Sequence, residues 1–404
     1  EKESFWVLRE KKQFSEAETV EVLKESVERV RPSCGYYETC GGCSLQHVSP
    51  TAQVALKQRI LEEQLERIGR VKPEQILPPI YGSAWHYRDR ARLSVSVGKK
   101  GRLKMGFQAK KTNEVVDIET CQVLPKHISD VLPMVKLLLQ TLSDGGAAVR
   151  FVEFFNSRAL VVLNICFIKK PSGYSLKQIE TWFDKISGGV KQVWQVWFQY
   201  GREPSTALYP KDLPELKYSL PEFSIEMPYQ PGDFTQINAD LNAVMISRAL
   251  RLLDIQPNDR VADLFCGLGN FSLPMAKSGA SVTGIEGLDS LVLRAKQNAL
   301  RNSCVKYVSF EVADLFETDE QTVASWGVFD KMLLDPPRSG AYAVVKSLHT
   351  PYLPKKIVYV SCNPSTFARD AEVLVNKGYN FKSAGIMNMF AQTSHVESIG
   401  VFEL

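Results

Sequence analysis

The spacing of apolar residues divides this chain into segments of different character. Near the N-terminus, Phe5-Trp6-Val7-Leu8 and Thr19-Val20-Glu21-Val22 predict strands, and residues 1–33 read as the end of a small β domain. Ala52–Ile68 shows helical spacing through Val54, Leu56, Ile60, Leu61, Leu65 and Ile68. From Tyr87 to Ile225 strand-like runs dominate, among them Leu93–Val97, Val149–Phe155, Leu160–Phe167 and Val190–Trp197, with helices expected near 126–142 and 175–186. That stretch predicts a mixed α+β region. Past Asp233, helix Ala239–Leu253 leads into strand Arg260–Phe265, and strands Ser281–Ile285, Val305–Phe310, Phe329–Leu334 and Ile357–Val360 follow with helices between them. Such βα alternation predicts a doubly wound sheet. Phe381–Met389 and Ser398–Phe402 have no crossover helix between them, so they should pair antiparallel at the end of that sheet.

Composition narrows the class. A length of 404 residues suits two or three domains, and 44% hydrophobic with 23% charged residues is ordinary for a soluble globular protein. No apolar run approaches membrane-spanning length and no secretory pattern opens the chain, so a cytoplasmic protein with no membrane partner is expected. The chain begins at Glu1 rather than Met, which raises the expectation of a missing N-terminal piece. Net charge is only +4, but Lys99, Lys100, Arg102, Lys104, Lys110 and Lys111 fall within thirteen residues. Arg88, Arg90 and Arg92 come just before them; alternating on one strand face, they would suit a phosphate track or a merely solvated basic face.

The loop Asp263-Leu264-Phe265-Cys266-Gly267-Leu268-Gly269-Asn270-Phe271 joins the first strand of the doubly wound sheet to a helix. Its glycines permit a tight turn and close approach of a ligand. G-x-G-N is not the dinucleotide G-x-G-x-x-G, and no Lys-Ser/Thr follows, which excludes a P-loop. Glu286 ends the second strand, where an acid binds both ribose hydroxyls of an adenosine, and Asp314 follows the third, placed for the adenine edge. Together they make S-adenosylmethionine the leading ligand. Asp335, Cys362 and Glu397 stand at the carboxyl ends of the fourth and fifth strands and the start of the last. A thiol, a carboxylate base and a methyl donor are the parts needed to methylate a pyrimidine at C5: thiolate addition at C6 makes C5 nucleophilic, and a base must then remove the C5 proton.

Eight cysteines without secretory context point to metal or catalytic sites rather than disulfides. Cys34-x5-Cys40-x2-Cys43 supplies three ligands, and Cys121 is the natural fourth. Four thiolates suit a tetrahedral zinc or a [4Fe–4S] cluster, and spacing does not separate these. Cys166, Cys266 and Cys304 read as structural.

With these motifs, the chain resembles the RNA (uracil-5)-methyltransferases from about Val30 to Leu404, most densely in DLFCGLGNF (263–271), LLDPPRSGA (333–341), VSCNPSTFARD (360–370) and HVESI (395–399). The resemblance implies Cys362 as nucleophile and Glu397 as proton-abstracting base, with Gln236, Phe265, Asn270, Glu286, Asp314 and Asp335 around the cofactor and target base. It implies that Phe234 borders the uracil. It departs from its relatives at Asn388 and Ala391, where they usually carry Asp and Pro, and at Asp314, where some have Asn. The cysteine spacing is similar to the 23S ribosomal RNA branch, which implies a [4Fe–4S] cluster on Cys34, Cys40, Cys43 and Cys121. The implied fold class is α/β: a Rossmann-like class I S-adenosylmethionine-dependent methyltransferase domain (226–404), an α+β central RNA-binding region carrying the Fe–S cysteines (34–225), and a remnant of an N-terminal TRAM β domain (1–33). The implied function is methylation of a uridine in 23S ribosomal RNA or its precursor by a monomeric enzyme. Other uridines, in ribosomal RNA or the transfer-RNA T-loop, are the nearest alternative, and a non-catalytic Fe–S RNA-binding protein is the alternative from another class. DNA cytosine methylation would require Pro before the nucleophile, where Ser361 stands.

Overall fold

The computed structural model describes all residues except 13–14, 99–100, 159, 188–191 and 211–214. Lys99 and Lys100 of the basic run, and the start of the run expected from Val190, lie outside the described residues.

The βα alternation after Asp233 folds as expected. Strands β1 (Arg260–Leu264), β2 (Ser281–Glu286), β3 (Val308–Val312), β4 (Lys331–Leu334), β5 (Lys356–Ser361), β6 (Asn380–Met387) and β7 (Glu397–Glu403) form one sheet in the order β3-β2-β1-β4-β5-β7-β6. β1 to β5 run parallel, and β7 enters antiparallel between β5 and β6. Period-two side-chain alternation feeds two cores. Val261, Val358, Val360 and Ile399 pack on one face with Met245 and Ile246 of helix Ala239–Leu253. Ala262, Leu264, Ile357, Tyr359 and Phe402 pack on the other with Phe367 and Leu374 of helix Pro364–Asn376.

An early segment joins this sheet from a distance in sequence. Helix Pro50–Gln64 places Val54 and Leu61 in the second core, and Leu65 follows from the π-helical turn Leu65–Gly69. Leu56 and Ile68, expected on the same apolar face, are exposed. Gln75–Ile76 then extends the sheet beside β6, pairing with Ser383 and Ala384. Residues 50–80 therefore belong structurally with the C-terminal sheet, although in sequence they fall within 34–225.

The rest of the central region is a six-stranded sheet in the spatial order Leu103–Gly106, Arg90–Val97, Val149–Asn156, Val161–Phe167, Trp194–Tyr200, Thr206–Tyr209. Helices Leu132–Asp144 and Gly173–Ser187 bury Val135, Leu139, Ile179 and Phe183 against it. Strands Lys2–Glu10 and Ser15–Lys24 form a separate antiparallel hairpin with Phe5, Trp6, Leu8 and Val20 exposed. Among the described residues, no helix is long and apolar enough to cross a membrane.

Candidate active site

The carboxyl ends of β1 to β5 carry the expected residues. After β1 the chain turns sharply: Phe265, Gly267 and Gly269 have φ of +64°, +56° and +94°. Gly267 and Gly269 adopt this region freely, whereas Phe265 holds it at a cost of about 1–3 kcal/mol. Its N–H donates to the Ile285 carbonyl at 2.9 Å. Glu286 ends β2 and holds the turn, Oε2 accepting from the Gly267 N–H at 3.1 Å and Oε1 from the Gly287 N–H at 2.8 Å. Asp314 follows β3, and its Oδ1 accepts from the Phe316 N–H at 2.9 Å. The rings of Phe265 and Phe316 stand 5.6 Å apart. The carboxyl ends of β1 to β3 thus present two acids and an aromatic pair.

Asn270 and Gln236 border one polar network. Asn270 exchanges amide hydrogen bonds with Asn242 at 3.0 and 3.1 Å, and its Oδ1 also accepts from the Tyr218 hydroxyl at 2.7 Å. Gln236 lines a small cavity with Asp89, Arg90, Tyr218, Tyr229 and Asn242. Two residues at the start of strand Arg90–Val97 fix this segment: the Arg90 guanidinium donates to the Asp233 carbonyl at 2.8 Å, and Asp89, just before the strand, accepts from the Ala239 N–H at 3.1 Å. Phe234, between them, is 65% exposed.

Cys362, Asp335 and Glu397 converge for a reason visible in the register. Ser361 of β5 pairs with Ser398 of β7, so extending that antiparallel pairing by one residue sets Cys362 opposite Glu397. Asn363 fixes the far side of Cys362 by capping helix Pro364–Asn376, its Oδ1 accepting from Ser365 N–H at 3.1 Å and its amide donating to the Arg338 carbonyl at 3.0 Å. Burial pushes the Cys362 thiol up to about 12, and the carboxylates of Glu397 and Asp335 add to this while Arg338 opposes it. Burial, then Asp335, raises Glu397 to about 8, against Arg338 and Lys57. Burial alone raises Asp335 to about 7. The resting thiol is therefore neutral near pH 7, beside two carboxyls whose burial also favours the neutral form.

The loop ahead of Glu397 is held from several sides. Gln392 has φ of +66°, and its carbonyl accepts from the N–H groups of Ser44 and Leu45 at 2.8 and 3.0 Å. The Tyr87 hydroxyl donates to the Ala391 carbonyl at 2.7 Å. Ser44 directly follows Cys43, so the cysteine-bearing segment and the Glu397 loop share a seam.

All four sequence-assigned cysteines line one cavity, walled also by Tyr36 and Phe107. They are free thiols. The Gly42 N–H donates to Cys40 Sγ at 3.4 Å, and a Cβ at Gly41 would meet the Gln108 carbonyl at 2.8 Å, so the Gly-Gly pair lets the chain pass this close. Burial pushes Cys121 up to about 11. Among the described residues, no three or more His, Cys, Asp or Glu side chains stand together in metal-holding geometry.

A family model described as tRNA (Uracil-5-)-methyltransferase matches residues 51–403. A 23S rRNA (uracil(1939)-C(5))-methyltransferase RlmD of Neisseria lactamica is 62% identical over 405 residues, covering 100% of this chain and 89% of that protein. The chain belongs to the uracil-5-methyltransferase family. The RlmD of Chromobacterium violaceum is 48% identical, over 98% of this chain and 77% of that protein. The tRNA (uracil-54, C5)-methyltransferase of Pyrococcus abyssi, solved with S-adenosyl-L-homocysteine, shares the fold with a TM-score of 0.71 and 22% identity, over 99% of this chain and 93% of that one.

Of the alternating arginines, Arg90 turns inward, its guanidinium 5.1 Å from the Phe155 ring, whereas Arg92 pairs with the buried Glu153 at 2.9 Å and keeps an exposed side chain. Sequence reasoning missed Asp263, Asn242, Tyr218, Gln53 and Lys57. Asp263, buried beneath the glycine turn, accepts from the Ser272 hydroxyl and is raised by burial to about 7. Lys57 was detectable, because Val54, Lys57 and Leu61 fall on one helix face and a lysine there breaks an otherwise apolar stripe.

Proposed function

We propose that this chain methylates C5 of a uridine in 23S ribosomal RNA through a covalent Cys362–C6 adduct. The observation that carries the reading is the β5–β7 register, which sets a thiol opposite a buried carboxyl at the carboxyl end of the sheet that also carries the glycine turn. The 23S substrate is taken from relatives at 62% and 48% identity that are named for it. Glu286, Phe265, Asp314, Asn270, Gln236 and Asp335 would hold S-adenosylmethionine, whose sulfonium supplies the methyl group. The donor set fits: an acid at the end of β2 for the ribose hydroxyls, a second acid and aromatic rings for the adenine, and a polar network beyond Asn270.

The chain's own residues divide the work. Cys362 Sγ, once deprotonated, adds to C6, and the C5–C6 π pair moves into an enolate. C5 would then take the methyl group as its bond to the sulfonium breaks, the bonding pair staying on that sulfur, which would leave as a neutral thioether. Glu397 removes the C5 proton, the freed pair rebuilds the C5–C6 double bond, and the C6–S bond breaks to return the thiolate to Cys362. Arg338 opposes the negative charge that gathers on Cys362 and Glu397. Since C5 is hard to reach within an A-form duplex, the target uridine is unstacked, and exposed Phe234 offers a ring against which a base can stack.

Cys34, Cys40, Cys43 and Cys121 would hold a [4Fe–4S] cluster, a structural element that shapes the central region and needs no redox step. Four free thiols around one cavity, with an N–H donated to a sulfur, have the chemistry such a cluster needs, although the thiols do not stand in metal-holding geometry here. Residues 34–225 would then be the RNA-binding region, 226–404 the catalytic domain and 1–33 part of a TRAM-like β domain.

Two measurements test these assignments. Glu286→Ala should weaken S-adenosylmethionine binding by about tenfold to a hundredfold in equilibrium dialysis, because charge-assisted hydrogen bonds to the ribose are lost; unchanged affinity would remove Glu286 from the site. Anaerobically prepared protein should carry iron and sulfide with broad visible absorption, and Cys121→Ser should lose most of both. Zinc in place of iron would overturn the cluster assignment.

A further inference from the structure

Lys57 is fully buried, yet takes no part in the chemistry above. Its ammonium donates to Asn388 Oδ1 at 2.7 Å and to the Phe390 carbonyl at 2.9 Å, two neutral acceptors. One helical turn earlier, buried Gln53 binds the same loop farther on. Its Nε2 donates to Gln392 Oε1 at 3.0 Å, and its Oε1 accepts from the Gln392 N–H at 2.9 Å. Gln53 Nε2 also reaches the Leu45 and Val48 carbonyls at 3.0 and 2.9 Å, which ties the segment after Cys43 to this grip. A single helix face thus seizes both ends of 388–392, the loop that runs into Glu397. An apolar residue at 57 would fill the core without the desolvation cost of an ammonium, so stability alone does not explain a lysine there. The charged groups facing this region are the Glu397 carboxyl on β7, which Asp335 disfavours as the anion while Arg338 and then Lys57 favour it, and the Arg338 and His395 side chains, which hydrogen-bond each other.

We propose that Lys57, assisted by Gln53, is a positioning residue for removal of the C5 proton, fixing the 388–392 loop that carries the chain into Glu397. The inference rests on Glu397 as the base. In that step the C5–H bond breaks with its proton passing to Glu397, the C5–C6 double bond forms, and the C6–S bond breaks to release Cys362. Disturbing Lys57 should therefore slow release of the methylated product more than methyl transfer.

The test uses full-length, cluster-bearing Lys57→Met with ordinary uridine in a 23S rRNA fragment and S-adenosylmethionine. Denaturing electrophoresis should show a methylated protein–RNA adduct that persists, and product release should slow roughly tenfold or more, while first-turnover methyl transfer stays within about twofold. A deuterium isotope effect with 5-deuterouridine should grow, which a merely structural defect would not produce. Native release rates, or equal loss of transfer and release without adduct, would overturn the proposal. Should Lys57→Met not fold, Lys57→Gln and Gln53→Ala are read by the same criteria. Glu397→Gln separates the two ideas: no adduct there removes the base itself, whereas adduct there but in none of the loop variants removes only the positioning role.

Discussion

Cys362→Ala is expected to lower turnover on 23S rRNA on the order of 10⁴-fold or more, with cofactor affinity and folding essentially unchanged. C5 of an intact uracil is a poor nucleophile, and on the proposed mechanism only thiolate addition at C6 makes it reactive. None of the other groups gathered here, Asp335, Glu397 and Arg338, can substitute for sulfur in that addition. The thiol lies between the end of β5 and the capping residue Asn363, only partly buried and outside both cores, so alanine removes the reactive atom without opening a core cavity. Single-turnover assays with labelled S-adenosylmethionine, beside equilibrium dialysis, measure both halves of the expectation. Retained turnover would remove the covalent route.

Glu397→Gln is expected to do the opposite of a simple loss: methyl transfer should proceed while the adduct stays on the protein. Glutamine keeps the size of the side chain but cannot take the C5 proton, so elimination should slow by about 10²–10⁴-fold. The native chain should show the same step in its pH dependence. Burial and Asp335 raise the Glu397 carboxyl to about 8, so it is mostly protonated at pH 6 and becomes a competent base as the pH rises through about 8. Product release in single turnover should therefore quicken from pH 6 to 9, and Glu397→Gln should flatten that rise. A pH-independent release rate in the native chain, or free product from Glu397→Gln at the native rate, would assign the proton to another base.

Much of this was legible in the sequence because it depends on short-range pattern. The alternation Arg260–Leu264, Ser281–Glu286, Lys331–Leu334, Lys356–Ser361 is hydrophobic on both faces, which only a sheet covered by helices on both sides accommodates. The strand ends then locate Glu286, Asp335 and Cys362. The missing crossover helix before Ser398 gave the antiparallel pairing of β6 with β7, but not the insertion of β7 beside β5 that opposes Cys362 and Glu397. What stayed hidden is long-range. Lys57 and Asn388 lie 331 residues apart, and nothing local to helix Pro50–Gln64 says that its polar break faces the loop before Glu397. The partners of Arg90 and Arg92 were hidden for a related reason: strand alternation puts both on one face, but the Asp233 carbonyl and Glu153 come from distant segments. The exposed apolar residues of hairpin Lys2–Glu10/Ser15–Lys24 were read correctly as strand and gave no sign of what they pack against.

The covalent claim is tested most directly by trapping. Native protein is incubated with S-adenosylmethionine and a 23S rRNA fragment carrying 5-fluorouridine, whose C5 fluorine cannot leave as a proton does. A protein–RNA band stable to denaturing electrophoresis, absent with Cys362→Ala and mapping to a single uridine, is the expected result. The contradictory result is no stable band from protein that binds S-adenosylmethionine and methylates the unmodified fragment, which would rule out addition of Cys362 to C6.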